Sequence, residues 1–237
     1  MTQAAEKRAP IFDTPAYPAS EAARILNLSV NTVRAWCFGQ NYRSTAGVPK
    51  RFQPVIQPAD MKGRLLSFAN LCELHVLSAI RRHYKIPLPK VRESVDYLHS
   101  KLAAARPLID QQFHTNGIDL FVEHASRLLN VSRQGQEALR GDFQQALARI
   151  ERDRQGSPIR LFPFSRTSLS DKEQPKTIVI DPRLSFGRPV LSSVAIRTDV
   201  IVGRFRAGDS MAEMAKDYGV DEKEIEEALR FEQRRSA

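Results

Sequence analysis

No stretch of this 237-residue chain approaches the ~18 consecutive apolar residues that a bilayer crossing takes. Its opening residues, Met1 to Pro10, lack the apolar core of a secretory signal. Both absences point to a cytoplasmic protein with no membrane partner. Cysteine is scarce. Cys37 and Cys72 are the two in the chain, and both fall inside apolar helical patterns, where a thiol serves as a small hydrophobe. The five histidines, His75, His83, His99, His114 and His124, form no ligand pair with another His or Cys at the short spacing of a metal site. A nucleophile elbow, a phosphate loop and a glycine-rich dinucleotide fingerprint are all missing. The segment Gly203 to Gly208 lacks the Gly-Lys-Ser/Thr of a phosphate loop. Asp181 and Asp199 are single carboxylates beside turn residues, which suits structural caps. The expectation is a non-enzymatic chain with no catalytic residue, no metal and no cofactor.

Acidic charge is short in the N-terminal part. The net charge of +9 divides into +7 over residues 1–100, +3 over 101–169 and −1 over 170–237. A basic head and a near-neutral tail place any nucleic-acid contact in the N-terminal third.

Within that charge pattern one helix–turn–helix arrangement occurs twice. The first copy runs from Ser20 to Trp36, the second from Ser210 to Leu229. In the first, Ala23 is the small residue at the crossing, and Asn27 sits in a turn that tolerates left-handed backbone. Ser29 caps the second helix, and Val30, Val33 and Trp36 face the core. Asn31, Thr32 and Arg34 are left to solvent, where they can reach base edges or phosphates if the helix enters a major groove. Arg43, Lys50, Arg51, Lys62 and Arg64 follow, around an expected β-hairpin over residues 51–68 that turns at Pro58 to Gly63. A basic hairpin beside a helix–turn–helix reads as a wing. In the second copy Ala215 takes the crossing position and Gly219 the turn. Asp221, Glu222, Glu226 and Glu227 stand where the first copy carries its DNA-facing residues, and phosphates would repel them. The two copies therefore read as one DNA reader and one module that holds something else.

The fold class expected is mainly α with small β elements (α+β), in three parts. Residues 17–103 form a winged helix–turn–helix, with later helices over 69–84 and 87–103. Residues 104–168 form a small α+β unit. Its expected strands are at Ile118–Glu123, Arg127–Val131, Arg149–Asp153 and Ile159–Phe164, with a helix over 134–148. Residues 165–175 are polar and without periodicity, a linker. Residues 176–233 hold a short strand at Thr177–Pro182, an extended piece from Phe186 to Leu191 and three helices. A capping box is expected at Ser210 and Glu213.

Tyr17-Pro-Ala-Ser-Glu-Ala-Ala-Arg-Ile-Leu-Asn-Leu-Ser-Val-Asn-Thr-Val-Arg-Ala-Trp36 resembles the winged helix of MerR-type and excisionase-type DNA binders. The likeness continues through Leu66-Ser-Phe-Ala-Asn-Leu and Ile86-Pro-Leu-Pro-Lys-Val-Arg. Residues 177–231, with their Asp-Pro-Arg, Gly-Arg-Pro-Val and Ala-Gly-Asp-Ser elements, are similar to the small C-terminal domain of VapB-type antitoxins paired with PIN-like ribonuclease toxins. Larger members of that family place a MerR-like winged helix in front, as here. The resemblance implies an antitoxin that neutralises a PIN-like toxin and represses its own operon by binding operator DNA as a homodimer. Such nucleases hold divalent metal with clustered carboxylates, and an inserted arginine would compete with that metal. Arg230, Arg234 and Arg235 are the candidates on this implication, followed by Arg204 and Arg206. The alternative is a stand-alone MerR-like regulator whose C-terminal module mediates dimerisation only.

Overall fold

A computed structural model describes residues 10–43, 47, 49–83, 87–102, 104–110, 116–129, 131–166 and 174–234. Its architecture is mainly helical with small antiparallel sheets, the fold class expected. The chain opens with strand β1 (Tyr17–Pro18) and helices α1 (Ala19–Leu26) and α2 (Val30–Phe38). Strands β2 (Gln40–Arg43) and β3 (Pro49–Phe52) form a hairpin, in register Gln40 to Phe52 and Arg43 to Pro49. Strand β4 (Leu65–Leu66) returns to pair with β1.

The hairpin is thus earlier in the chain than the 51–68 expected for it. Pro54 and Pro58 explain the difference, since neither has an N–H to give a ladder. The N–H groups between them go elsewhere: Val55 and Ile56 donate to the Trp36 carbonyl at 2.7 and 3.0 Å. Only the turn expected around Gly63 remains, closed by reciprocal backbone bonds between Asp60 and Leu65.

Helix α3 (Phe68–His83) is the centre of the first core. Every residue from Phe68 to Ala79 is buried. A helix buried all round must satisfy its polar side chains from neighbouring elements. Asn70 does this by accepting from the Ala59 and Ser67 N–H groups and donating to the Gln57 carbonyl at 2.7 Å and to Glu73 at 2.9 Å. Glu73 in turn accepts from Arg106 at 2.7 Å, and Arg106 also donates to Asp13 at 2.8 Å.

Helices α4 (Leu88–Leu102), α5 (Ile118–Leu129) and α6 (Arg133–Leu147) follow: α6 packs on α3, and α5 packs between α6 and α4. The strands expected at Ile118–Glu123 and Arg127–Val131 are replaced by the single helix α5, which ends at Leu129. Ile118, Phe121, Val122 and Ala125 fall on one face at helical spacing, and all are buried. Phe121 meets Phe143 of α6 edge to face at 5.0 Å. Burying aromatic side chains of this size stabilises by about 1.5–3 kcal/mol each, enough to override the strand preference of an Ile-Phe-Val run. Strands β5 (Ile150–Arg152) and β6 (Pro158–Leu161) then form a hairpin. One contiguous core runs from Tyr17 through Phe143 and Leu161 to Ile180.

The C-terminal part has strands β7 (Ile178–Val179) and β8 (Val190–Leu191), then helices α7 (Thr198–Ala207), α8 (Met211–Tyr218) and α9 (Glu222–Gln233). A second core unites Ile178, Leu191, Ile201, Met214, Ile225 and Phe231. A backbone bridge between Leu161 and Ile180 joins it to the hairpin before it. Most of the linker expected over residues 165–175 lies outside the described residues, and Arg149 bridges the residues on either side of it. Its buried guanidinium donates to the carbonyls of Phe162 and Pro163 on one side and Gln174 and Pro175 on the other, and stacks on Phe164 at 5.1 Å.

Candidate functional site

The N-terminal pair folds by the logic expected. Ala22 and Ala23 are fully buried at the crossing, Asn27 takes φ +54°, and Leu28 N–H donates back to the Ala23 carbonyl. Val33 and Trp36 lie in the core. The Ser29 hydroxyl accepts from Thr32 N–H at 3.1 Å and contacts the Thr32 hydroxyl at 2.8 Å. Ser29 and Thr32 are therefore engaged in shaping the helix start, and Thr32 is half-buried. Asn31 and Arg34 are exposed to solvent.

The basic residues after α2 divide into three kinds. Arg51 and Lys62 are exposed, and among the described residues neither they nor Arg34 have a carboxylate partner. Arg64, with φ +54°, lays its guanidinium over the Phe38 ring at 4.6 Å, at the end of α2. Arg43 and Lys50 belong to the β2–β3 hairpin by backbone position, and their side chains lie outside the described residues. A helix that presents Asn31 and Arg34 to solvent, followed by unpaired cations, can contact a polyanion along its backbone.

The C-terminal copy has its capping box at Ser210 and Glu213, and Gly219 turns the chain at φ +66°. The Asp221 carboxylate accepts from Lys223 N–H and caps α9. Glu222 and Glu226 face solvent, but Glu227 does not: it is 3% exposed and accepts from Arg166 at 3.0 Å. The acidic face is narrower than the four-residue cluster expected, because Glu227 lies on the apolar side next to Ala228.

Most of the C-terminal arginines are committed within the chain. Arg204 bonds to Asp209 at 2.5 Å and Asp217 at 2.7 Å and stacks on Tyr218. Arg230 bonds to Glu226 at 2.6 Å. Arg234 donates to the Phe164 carbonyl and borders a cavity of about 400 Å³ shared with Ser20, Arg24, Asn27 and Ser29 of the N-terminal helix pair. Arg206 is exposed without a carboxylate partner among the described residues, and Arg235 lies outside them.

The two modules are joined by specific bonds. The Tyr17 hydroxyl donates to the Gly187 carbonyl, Arg24 approaches Glu232 at 3.8 Å, and Arg160 of β6 reaches Asp181 at 3.1 Å. Burial alone would raise the Asp181 carboxyl. The Arg183 side chain and N–H, with Arg160, outweigh this and hold it below the usual carboxylate range. Asp181 is thus the structural carboxylate expected of it. Burial pushes the Cys37 and Cys72 thiols well up, so neither is a nucleophile at neutral pH. Among the described residues no cluster of three His, Cys, Asp or Glu side chains could hold a metal, and no helix is long and apolar enough to cross a membrane.

One conspicuous residue was not singled out from the sequence. Phe186 is 94% exposed, in a turn where Ser185 and Phe186 take φ +46° and +56°. Its only signal was an aromatic in a Gly- and Pro-rich segment, which also fits a buried turn.

Residues 15–95 match a family model described as "Putative DNA-binding HTH domain", and residues 178–231 match one described as "Protein of unknown function (DUF433)". A protein of Mycobacterium tuberculosis named "Putative antitoxin VapB45" is 29% identical over 236 residues, covering 92% of this chain and 94% of that one. A second from the same organism, "Uncharacterized protein Rv2308", is 22% identical over 233 residues, covering 93% and 91%. The crystal structure of Rv2018 from M. tuberculosis is 25% identical and superposes with a TM-score of 0.66, covering 92% of this chain and 99% of that one.

Proposed function

We propose that this chain is an antitoxin that binds and silences a PIN-like ribonuclease and, as a homodimer in the cytoplasm, represses its own operon through a MerR-like N-terminal reader. The observation that carries this reading is the similarity to a named antitoxin, which runs through reader and C-terminal module alike. The exposed, unpaired cations of the reader support the DNA half.

In this reading α2 enters the major groove with Asn31 and Arg34 at base edges, while Ser29 and Thr32 hold the helix start in position. Arg43, Lys50, Arg51, Lys62 and Arg64 neutralise flanking phosphates, which fixes register without reading sequence. A two-fold dimer places two such helices about 34 Å apart, one turn of the duplex. The chain contributes no chemistry of its own. It acts by occupying the operator and the toxin. Of the C-terminal arginines, Arg206 is free to meet the toxin, and Arg204, Arg230 and Arg234 would first have to leave internal bonds.

The test is to look for a PIN-like nuclease in the adjoining reading frame and to co-express the chain with it, together with mobility-shift assays on DNA upstream of the gene; an adjoining frame without such a nuclease counts against the antitoxin reading. Relief of growth arrest and a retarded band are expected. If the full chain neither binds the nuclease nor relieves the arrest while DNA binding persists, the antitoxin reading fails. A stand-alone regulator is then left, with a C-terminal module for dimerisation only.

A further inference from the structure

The turn between β7 and β8 holds Phe186 outward at a cost in backbone strain. Ser185, Phe186 and Gly187 are consecutive left-handed residues, two of which carry side chains. Such conformations persist only where the surroundings impose them. Here they are imposed from both ends. Leu184 N–H donates to the Asp181 carbonyl and Arg188 N–H to the Ser185 carbonyl. Gly187 is held by Tyr17, whose hydroxyl oxygen would lie 2.0 Å from a Cβ at that position. These bonds fix the loop at both ends, and its aromatic residue is almost wholly in water.

Beside Phe186 lies an apolar hollow of about 240 Å³, with Ile11, Tyr17, Phe68 and Pro182 among its walls. Ile11 is itself 53% exposed. The rim is basic. Arg183 is half-exposed and bonded to the buried Asp181, and Arg188 is exposed, forms no carboxylate hydrogen bond or ion pair among the described residues, and lies near enough to Asp199 to lower its carboxyl. The nearby Asp199 is bonded to Arg197.

We infer that Phe186 and this hollow form the docking surface for the nuclease, so that the inference rests on the antitoxin reading. The occupant is a protein carrying an apolar pocket ringed by carboxylates. Phe186 fills that pocket, and Arg183 and Arg188 meet the rim. Charge complementarity selects an acidic partner, and a nuclease that holds metal with clustered carboxylates has that character. Rigid, exposed aromatics flanked by arginine are the residue types that dominate protein–protein affinity. A nucleic acid fits less well, because Ile11, Tyr17, Phe68 and Pro182 offer an apolar wall where a strand would need a track of cations.

The decisive variant is Phe186→Gly in the full chain. Glycine relieves the left-handed strain, so the unfolding midpoint should stay constant or rise by about 2 °C. Affinity for a PIN-like nuclease that the wild-type chain binds, measured by calorimetry, should fall about 30-fold or more. Arg188→Glu, a surface change that leaves the turn intact, should weaken the same complex about 10-fold, less so as salt rises. Wild-type affinity in Phe186→Gly overturns the surface while leaving the antitoxin reading in place. Absence of any complex with the wild-type chain overturns the reading and the surface with it. Conversion of a dimer to a monomer by Phe186→Gly in sedimentation makes the patch a self-interface and overturns the assignment. So does loss of duplex DNA binding with nuclease binding intact.

Discussion

The Tyr17 hydroxyl donates to the Gly187 carbonyl at 3.0 Å, across 170 residues of chain. One residue begins the reader and the other ends the strained turn of the C-terminal module. Burial pushes the Tyr17 phenol far above its ordinary range, so it remains a donor at any working pH. Gly187 takes φ +73°, and a Cβ there would meet the Tyr17 oxygen. Gly187→Ala should therefore destabilise by about 2–4 kcal/mol through backbone strain and steric displacement together. Tyr17→Phe removes only the bond and should cost about 1–2 kcal/mol, for one buried carbonyl left unpaired. Urea unfolding of both variants checks the order. Equal costs would mean that the contact is electrostatic and not steric.

Glu73 gives a pH signature. Burial raises its carboxyl to about 7, against the lowering influence of Arg106 and Asn70. The folded-state value thus lies above the unfolded one of about 4.3. The stability linked to this group is fully present below about pH 4, and is lost as pH rises towards and through 7. Glu73→Gln keeps the shape and removes the titration. Between pH 5 and 8 the variant should show a flatter unfolding midpoint than the wild type, with the gap changing by an amount on the order of 2 kcal/mol. Parallel profiles for the two proteins would assign the pH dependence to other groups.

What could be read from the sequence was whatever short-range chemistry decides. The Asn27 turn, the Ser29 cap, the Ser210–Glu213 box and the Gly219 turn all depend on residues within four positions of each other, and all are present. The errors arose where distant partners decide. The run Ile118-Asp-Leu-Phe-Val has strand-forming composition, yet α4 and α6 flank it and its apolar residues fit a helical stripe. Glu227 was placed on an open acidic face because its neighbours are acidic, but Arg166, 61 residues away, draws it inward. Arg234 looked free because its partner, the Phe164 carbonyl, is 70 residues away, whereas Arg230–Glu226 and Arg204–Asp209 lie within five positions and were legible as local pairs. Phe186 could not be singled out, because an aromatic beside glycine is usually buried and the Tyr17–Gly187 contact that helps hold this one outward spans 170 residues.

The reader's residues should separate into two classes. Arg34→Ala should weaken binding to DNA upstream of the gene by about 1–3 kcal/mol and relax sequence preference. Lys62→Ala should weaken all duplexes alike and lower the salt slope by about 0.9. Arg204→Ala leaves the reader untouched and should keep both affinity and slope, while losing stability through the freed Asp209 and Asp217. Fluorescence anisotropy over a salt series distinguishes the three. Wild-type behaviour in both Arg34→Ala and Lys62→Ala would place the DNA contact on another surface.

Arg149 ties the two halves together. Four carbonyls, from Phe162, Pro163, Gln174 and Pro175, converge on one guanidinium that is 3% exposed. Lysine has three donors on a point charge and cannot match a planar fork. Arg149→Lys should lose at least two of these bonds and bury a poorly satisfied ammonium, at a cost of about 3–5 kcal/mol. Arg149→Met removes the charge and strands the carbonyls, and should cost about 2–4 kcal/mol. The charged replacement is therefore expected to be the worse of the two, contrary to what charge conservation alone suggests. Chemical denaturation of the two variants decides it. If Arg149→Lys is the milder change, water reaches the cluster and the site is not as closed as its burial implies.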